Sequence, residues 1–143
     1  MSITSADRAL LALLGENARM PVAELARRLG LSRTTVQARL ERLERDGVIA
    51  GYAVRLSEDY LAGLVRAHLL ITIAPKALAA VTAELKAIRE VTTLHSVSGS
   101  FDLIAMLAAP SIADLDRLID AIGEMSGVER TLSSIILSTR ISR

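Results

Sequence analysis

Hydrophobic residues in the first third of the chain recur at the spacing of amphipathic helices. This spacing predicts a first helix over residues 4–14, which opens with a capping box between Thr4 and Asp7. A second helix is expected over residues 21–29, from a proline suited to a first turn to a glycine that ends it. A third helix, over residues 32–46, follows almost immediately and starts with a serine N-cap.

The pattern changes to that of β-strands in the remainder of the chain. Residues 48–55 have β character, and residues 57–63 form a connection. Residues 65–73 alternate with a period of 2, which is the spacing of a strand that buries one face. The further expected elements are a helix from Pro75, strands over 92–98 and 101–108 joined by a turn, a helix from Pro110 and a last strand over 128–138. This β-α-β-β-α-β order is the ferredoxin-like pattern.

One face of the expected four-stranded sheet is covered by the two helices, and the other is left without a cover. The residues predicted on this second face are Leu70, Ile104, Met106 and Ile136. A large exposed apolar patch marks an interface. We therefore expect a homodimer that forms sheet to sheet.

Residues 22–46 carry a helix-turn-helix signal, because the second and third helices are separated by only a three-residue turn. Such a turn sets the helices steeply apart, so that the third can enter the DNA major groove. The fold class is therefore α+β, with an N-terminal winged-helix-like helix-turn-helix domain and a C-terminal ferredoxin-like βαββαβ domain. The expected boundaries are 1–50 for the DNA-binding domain, 51–64 for a β linker or hinge, and 65–143 for a ferredoxin-like oligomerisation domain.

Polar and small residues on the third helix are the candidates for DNA contact. Early positions of a recognition helix reach base edges, where arginine suits guanine, glutamine suits adenine, and threonine or alanine can contact a thymine methyl. The base-reading candidates are Arg33, Thr34, Thr35, Gln37 and Ala38, and the phosphate-contact candidates are Arg39, Arg42, Arg27 and Arg28. The alternative for each arginine is a solvated helix face with ion pairs at i, i+4.

The net charge of +1 argues against a nucleic-acid partner only as an average over the whole chain. Residues 1–55 contain nine arginines and six acidic residues, a net charge of +3. The remainder contains eight basic and ten acidic residues, a net charge of −2. The division separates a basic DNA-reading part from an acidic assembly part, and arginine suits both bases and phosphates.

Composition excludes several other classes of protein. Aromatic residues make up 2% of the chain, too few for base-stacking binders of single strands. The absence of cysteine excludes disulfides and thiolate chemistry. No paired carboxylates or phosphate loop indicate an active site, so the sequence predicts no enzyme, no cofactor and no metal site. No apolar run approaches the roughly 20 residues of a membrane span, and a cytoplasmic location without membrane contact is expected.

The sequence resembles the Lrp/AsnC family of leucine- and asparagine-responsive regulators. The stretch ELARRLGLSRTTVQARLERLERDGVIAGY, the Ser98–Asp102 hairpin and the strand after Gly127 match the family in order, and the resemblance covers nearly the whole chain. It implies dimers formed through the β linker and the regulatory sheet, often assembled into octamers. It also implies that DNA is bent around or along them and that small effectors, usually amino acids, bind between dimers.

The same resemblance places a candidate effector site on the regulatory domain. Gly99 and Asp102 match the family's Gly-x-x-Asp loop, in which backbone amides can hold a carboxylate and the aspartate an ammonium. The candidate effector-binding residues are Ser98, Gly99, Ser100, Phe101, Asp102, His95, Thr131 and Ser133. The alternative is that the glycine and the aspartate only shape the turn.

The leading hypothesis is a sequence-specific transcriptional regulator of double-stranded DNA that responds to a small effector, an amino acid. An enzyme is the first alternative, because ferredoxin-like domains support many activities. The second is an architectural protein that binds DNA with little sequence preference. Binding that survives an excess of random DNA separates the regulator from the architectural protein.

Overall fold

The structure, a computed structural model, describes residues 2–142 of the chain. The chain divides into two compact units, with the border between Arg55 and Leu56. Neither unit contains, within the described range, a helix long and apolar enough to cross a membrane.

The N-terminal unit consists of the three expected helices. They are α1 (Ser5–Glu16), α2 (Val22–Leu29) and α3 (Arg33–Arg45). The predicted capping box is present at the start of α1, and Pro21 serves as the N-cap of α2. The buried residues that join the helices are Leu10, Leu25, Ala26, Val36 and Leu43.

The turn between α2 and α3 is as short as the sequence indicates. Gly30 ends α2 in the left-handed region, at φ 66°, where glycine meets no steric penalty. The Ser32 hydroxyl then accepts a hydrogen bond of 3.1 Å from the Thr35 amide and starts α3. These two local signals define the short connection between α2 and α3.

Residues 48–55 differ from the sequence-based expectation, because the structure contains no strand there. Val48 and Ile49 instead pack against the core of the N-terminal unit. A strand needs a neighbour to satisfy its backbone groups, and none of the described strands pairs with this segment. The expected connection that follows contains a short helix, α4 (Glu58–Leu61).

The C-terminal unit has the expected β-α-β-β-α-β order. Its elements are β1 (Val65–Ile73), α5 (Leu78–Lys86), β2 (Val91–Ser96), β3 (Leu103–Ala109), α6 (Ile112–Gly123) and β4 (Val128–Ile135). The strands form one antiparallel sheet in the order β2-β3-β1-β4. Alternate residues of β1 and β3 are buried with α5 and α6 in a single core, as the period of 2 predicts.

The opposite sheet face, here called the open face, carries an apolar stripe across three strands. The strand registers place Ile104, Leu70 and Leu132 side by side, with Met106 in the next row. Leu132 is 54% exposed, and the other three are half-buried. The two expected apolar positions on β3 and the one on β1 thus occupy the face that the sequence analysis assigned to them.

Candidate functional site

The first turns of α3 present most of the candidate base-reading residues to solvent. Arg33, Thr34, Gln37 and Ala38 are all exposed. The Arg33 side chain forms no ion pair with any described residue. Gln37 donates a hydrogen bond of 2.9 Å to the Glu41 carboxylate one turn later on the same helix. This surface is therefore accessible to a partner, and the Arg33 guanidinium on it is free of intramolecular ion pairs with the described residues.

Two concavities meet along Thr34 and Ala38 on this surface. One has a volume of about 470 Å³ and is lined by Thr34, Thr35, Ala38, Arg39 and Arg42. The other has a volume of about 440 Å³ and is lined by Val22, Arg33, Thr34, Gln37, Ala38 and Glu41. Every candidate that the sequence analysis placed on α3 lines one of them. The fold thus brings these candidates together on one continuous surface.

Two of the candidate arginines converge on a carboxylate from α1. The Arg39 Nη1 atom donates to the Asp7 Oδ1 atom over 3.0 Å, and the Arg42 Nη2 atom donates to the same oxygen over 2.6 Å. The Thr4 amide donates to the Asp7 Oδ2 atom over 2.8 Å. Asp7 is fully buried, so its charge is compensated by these donors and not by water.

The environment of Asp7 strongly favours its ionised form. The hydrogen bond from the Thr4 amide, followed by that from the Arg42 guanidinium, holds the pKa of Asp7 well below its usual range. The sequence pattern indicates Asp7 only as part of the capping box. No local signal predicts its role between α1 and α3, because its arginine partners lie 32 and 35 residues away.

The remaining two arginine candidates are engaged within their own helix. Both Arg27 and Arg28 donate hydrogen bonds to the Glu24 carboxylate, through Nε atoms at 2.9 and 2.8 Å. These bonds lower the pKa of Glu24 to about 2, with the Arg27 bond as the largest cause. The pairs have the i, i+3 and i, i+4 spacing of a solvated helix face, the alternative that the sequence analysis left open.

The candidate effector loop lies between β2 and β3 and is anchored by Asp102. The Asp102 amide donates to the Ile71 carbonyl over 2.9 Å, and the Asp102 Oδ2 atom accepts a hydrogen bond from the Ile73 amide over 2.8 Å. Gly99 adopts φ 112° in this loop, in open space. The aspartate therefore shapes the loop, while its second carboxylate oxygen accepts no hydrogen bond from a described residue.

The other effector candidates do not all face the same way. Thr131 and Ser133 pair with Ile71 and Leu69, whose side chains are buried against the helices. Both therefore lie on the face of the sheet that the helices cover. His95 pairs with Ile104 and therefore lies on the open face. Sequence position alone could not separate these two groups, because the sheet registers decide which residues share a face.

Phe101 links the loop to β4 on the open-face side. Its ring lies 5.1 Å from the Arg130 guanidinium carbon, at a cation–π distance. Arg130 is the partner of Thr72 in the sheet and precedes Thr131. The structure thus keeps the loop residues Ser98, Gly99, Ser100, Phe101 and Asp102 together and places Phe101 beside the last strand.

Comparisons with known proteins match both parts of the chain. Residues 3–50 match the family model for winged helix-turn-helix DNA-binding domains, and residues 66–143 match the model for the Lrp/AsnC ligand binding domain. The HTH-type transcriptional regulator LrpA from Mycobacterium tuberculosis is 36% identical over 134 residues, which cover 93% of this chain and 89% of that protein.

Solved structures of related proteins superpose on this chain over nearly its whole length. The structure of AsnC from E. coli superposes with a TM-score of 0.89 at 29% identity, covering 100% of this chain and 97% of that one. The feast or famine regulatory protein from M. tuberculosis, complexed with L-methionine, gives a TM-score of 0.87 at 34% identity, covering 99% and 96%. These superpositions confirm the predicted fold class. The relatives are transcriptional regulators and not enzymes, in agreement with the prediction from the sequence. With a DNA-binding model on one unit and a ligand-binding model on the other, the chain belongs to the Lrp/AsnC family of transcriptional regulators.

Proposed function

We propose that this regulator recognises specific double-stranded DNA through the exposed surface of α3, as a homo-oligomer in the cytoplasm. The observation that carries the proposal is the continuous surface of α3 with its uncommitted Arg33. Thr34, Gln37 and Ala38 share that surface and read bases with it, while Arg39 and Arg42 contact phosphates. Arg27 and Arg28 contribute positive charge from α2, shared with Glu24.

Replacing Arg33 with alanine is expected to weaken binding to a selected operator about 10- to 100-fold, because an arginine–guanine pair is worth roughly 1–3 kcal/mol of discrimination. Binding to random DNA should fall much less. Fluorescence anisotropy on an operator selected from a random-sequence pool measures both affinities. Arg19→Ala removes the same charge from an exposed loop position and serves as the control. Equal losses on operator and random DNA would refute base reading by Arg33.

We also propose that an amino acid binds at the Ser98–Asp102 loop and changes DNA binding or assembly. The structure of the relative with L-methionine supports an amino acid as the effector class. Backbone amides around Gly99 suit a carboxylate, and the second oxygen of Asp102 suits an ammonium. A thermal-shift screen of the twenty amino acids, with L-methionine included, identifies the ligand by the rise in melting temperature.

Replacing Asp102 with asparagine separates effector binding from loop structure. The amide oxygen can still accept from the Ile73 amide, so the melting temperature without ligand should change little. The lost charge should weaken binding of the amino acid found in the screen by about 10-fold or more, since a hydrogen bond to a charged group contributes roughly 1.5–3 kcal/mol. Calorimetry measures the affinity, with Asp120→Asn on the exposed side of α6 as the control. An unchanged affinity would exclude Asp102 as the ammonium ligand.

The homodimer is proposed to form through the open face of the sheet, and dimers to associate further into an octamer. The apolar stripe of Leu70, Ile104 and Leu132 supports this proposal, because water contact with it is unfavourable.

Replacing Ile104 with glutamate is expected to convert the dimer to a monomer, because a carboxylate would be placed within the apolar stripe, directly beside Leu70. Sedimentation velocity at micromolar concentration measures the mass. The control Ala113→Glu places the same charge on the exposed side of α6. An Ile104→Glu protein that sediments like the wild type would contradict the sheet-to-sheet dimer.

A further inference from the structure

We propose that Asp7 is a positioning residue, which holds Arg39 and Arg42 as a pair, and that this pair forms with Thr35 a binding site for one DNA phosphate. The inference rests on the proposed contact between α3 and DNA. It adds the joining of the two arginines into one site and a DNA-related role for Asp7, which the sequence pattern assigns only to the capping box of α1.

Asp7 holds both guanidinium groups in place but occupies only some of their N–H donors. Asp7 occupies only the Nη1 atom of Arg39 and the Nη2 atom of Arg42. Arg39 also donates from Nη1 to the Thr4 hydroxyl, over 3.1 Å. The Arg39 and Arg42 side chains remain 22% and 36% exposed, whereas the carboxylate between them is inaccessible. The Arg39 Nε atom is buried without a partner, so the donors available to an anion come from Arg42 and from the exposed part of the Arg39 guanidinium.

The surroundings of the pair suit a phosphate more than a base edge. Both arginines line the concavity of about 470 Å³, together with the hydroxyl-bearing Thr34 and Thr35. Guanidinium forks and hydroxyls are frequent donors to phosphate oxygens. The two arginines and Asp7 together carry a net charge of +1, which matches one phosphate. Because Asp7 holds the forks in place before DNA arrives, less side-chain entropy is lost on binding.

The sign of the effect of Asp7→Asn distinguishes positioning from simple charge. The substitution removes a negative charge from the basic N-terminal unit, so charge alone predicts tighter DNA binding. Loss of positioning predicts weaker binding instead. We expect the full chain carrying Asp7→Asn to bind a random-sequence duplex about 10-fold more weakly. The slope of log affinity against log salt concentration should become shallower by about 1, the value for one lost phosphate contact.

A second variant tests the site even where Asp7→Asn fails to fold. Arg42→Lys keeps the positive charge but loses the planar fork that reaches Asp7 and a phosphate together. We expect it to lower affinity about 10-fold, while Arg19→Lys at an exposed loop position leaves affinity unchanged. Circular dichroism and the melting temperature establish that each variant is folded at the temperature of the binding assay. A folded Arg42→Lys protein with wild-type affinity and salt slope would overturn the proposal.

The double variant tests whether the two residues act through one site. If Asp7 works by positioning Arg42, then Asp7→Asn combined with Arg42→Lys should bind no more weakly than the weaker single variant. Fully additive losses would overturn positioning. A wild-type protein that binds no duplex would instead refute the proposed function. If the wild type binds DNA and Asp7→Asn binds equally or more tightly with an unchanged slope, only the phosphate site is refuted.

Discussion

Replacement of Gly127 by alanine is expected to destabilise the C-terminal unit by about 2–5 kcal/mol, from a conformational and a steric cost. Gly127 adopts φ 93°, a region that residues with a Cβ atom rarely enter. A Cβ atom at this position would lie 2.5 Å from the Ala77 Cβ atom and 3.3 Å from the Val81 Cγ2 atom. The carbonyl of Gly127 also accepts from the Ala74 amide over 2.8 Å, so the backbone cannot easily move away.

Gly99→Ala separates the two costs. Gly99 adopts φ 112° in the same unit, but a Cβ atom there would have no neighbour within 4 Å. Its substitution should cost only the conformational part, about 1–2 kcal/mol. Urea unfolding followed by circular dichroism measures both free energies of unfolding. If Gly127→Ala and Gly99→Ala lose equal stability, the close approach to Ala77 has no energetic consequence and the prediction is wrong.

Acidification is expected to destabilise the N-terminal unit through Asp7. Because the folded-state pKa of Asp7 lies below the unfolded value, its contribution is complete above that unfolded value, about 3.9. It is lost progressively as the pH falls below about 4 towards the lower folded pKa. Glu24, with a pKa lowered to about 2, acts in the same direction, but its pairs are solvent-exposed and contribute little.

Melting temperatures of the N-terminal transition at pH 7 and pH 3 test this prediction. The wild type should lose much more stability between these values than Asp7→Asn, which has no carboxyl to protonate at this position. Glu16→Gln removes an exposed carboxylate of the same helix and should retain the wild-type dependence. Identical pH dependence in the wild type and Asp7→Asn would show that the buried carboxylate does not control acid stability.

Most of the elements could be predicted because their signals are local. The glycine after α2 and the serine before α3 define the short turn of the helix-turn-helix. In β1 the alternation of apolar residues matches the observed burial of every second side chain. The expected strand over residues 48–55 is the exception, since β propensity produces no strand without a neighbouring strand to pair with.

The candidate sites were only partly predictable, for a related reason. A helical face can be deduced from spacing, so the exposed residues of α3 followed from the pattern. The partner of a long side chain cannot, and the engagement of Arg39 and Arg42 by Asp7 emerges only when α1 packs beside α3. Likewise, the anchoring of Asp102 by the Ile73 amide depends on strands that are distant in sequence.

Local order in this protein thus follows from the chain alone: the helix caps, the period-2 strands, the βαββαβ order and the basic N-terminal part are all readable residue by residue. Long-range contact does not follow from it. Three features arise only in the folded chain. They are the burial of Asp7, the steric clash of a Cβ atom at Gly127 with Ala77, and the placement of His95 and Thr131 on opposite faces of the sheet. The physical reason is that caps and periodicity act within about one turn or one strand, whereas burial, register and ion pairing join residues that only folding brings together.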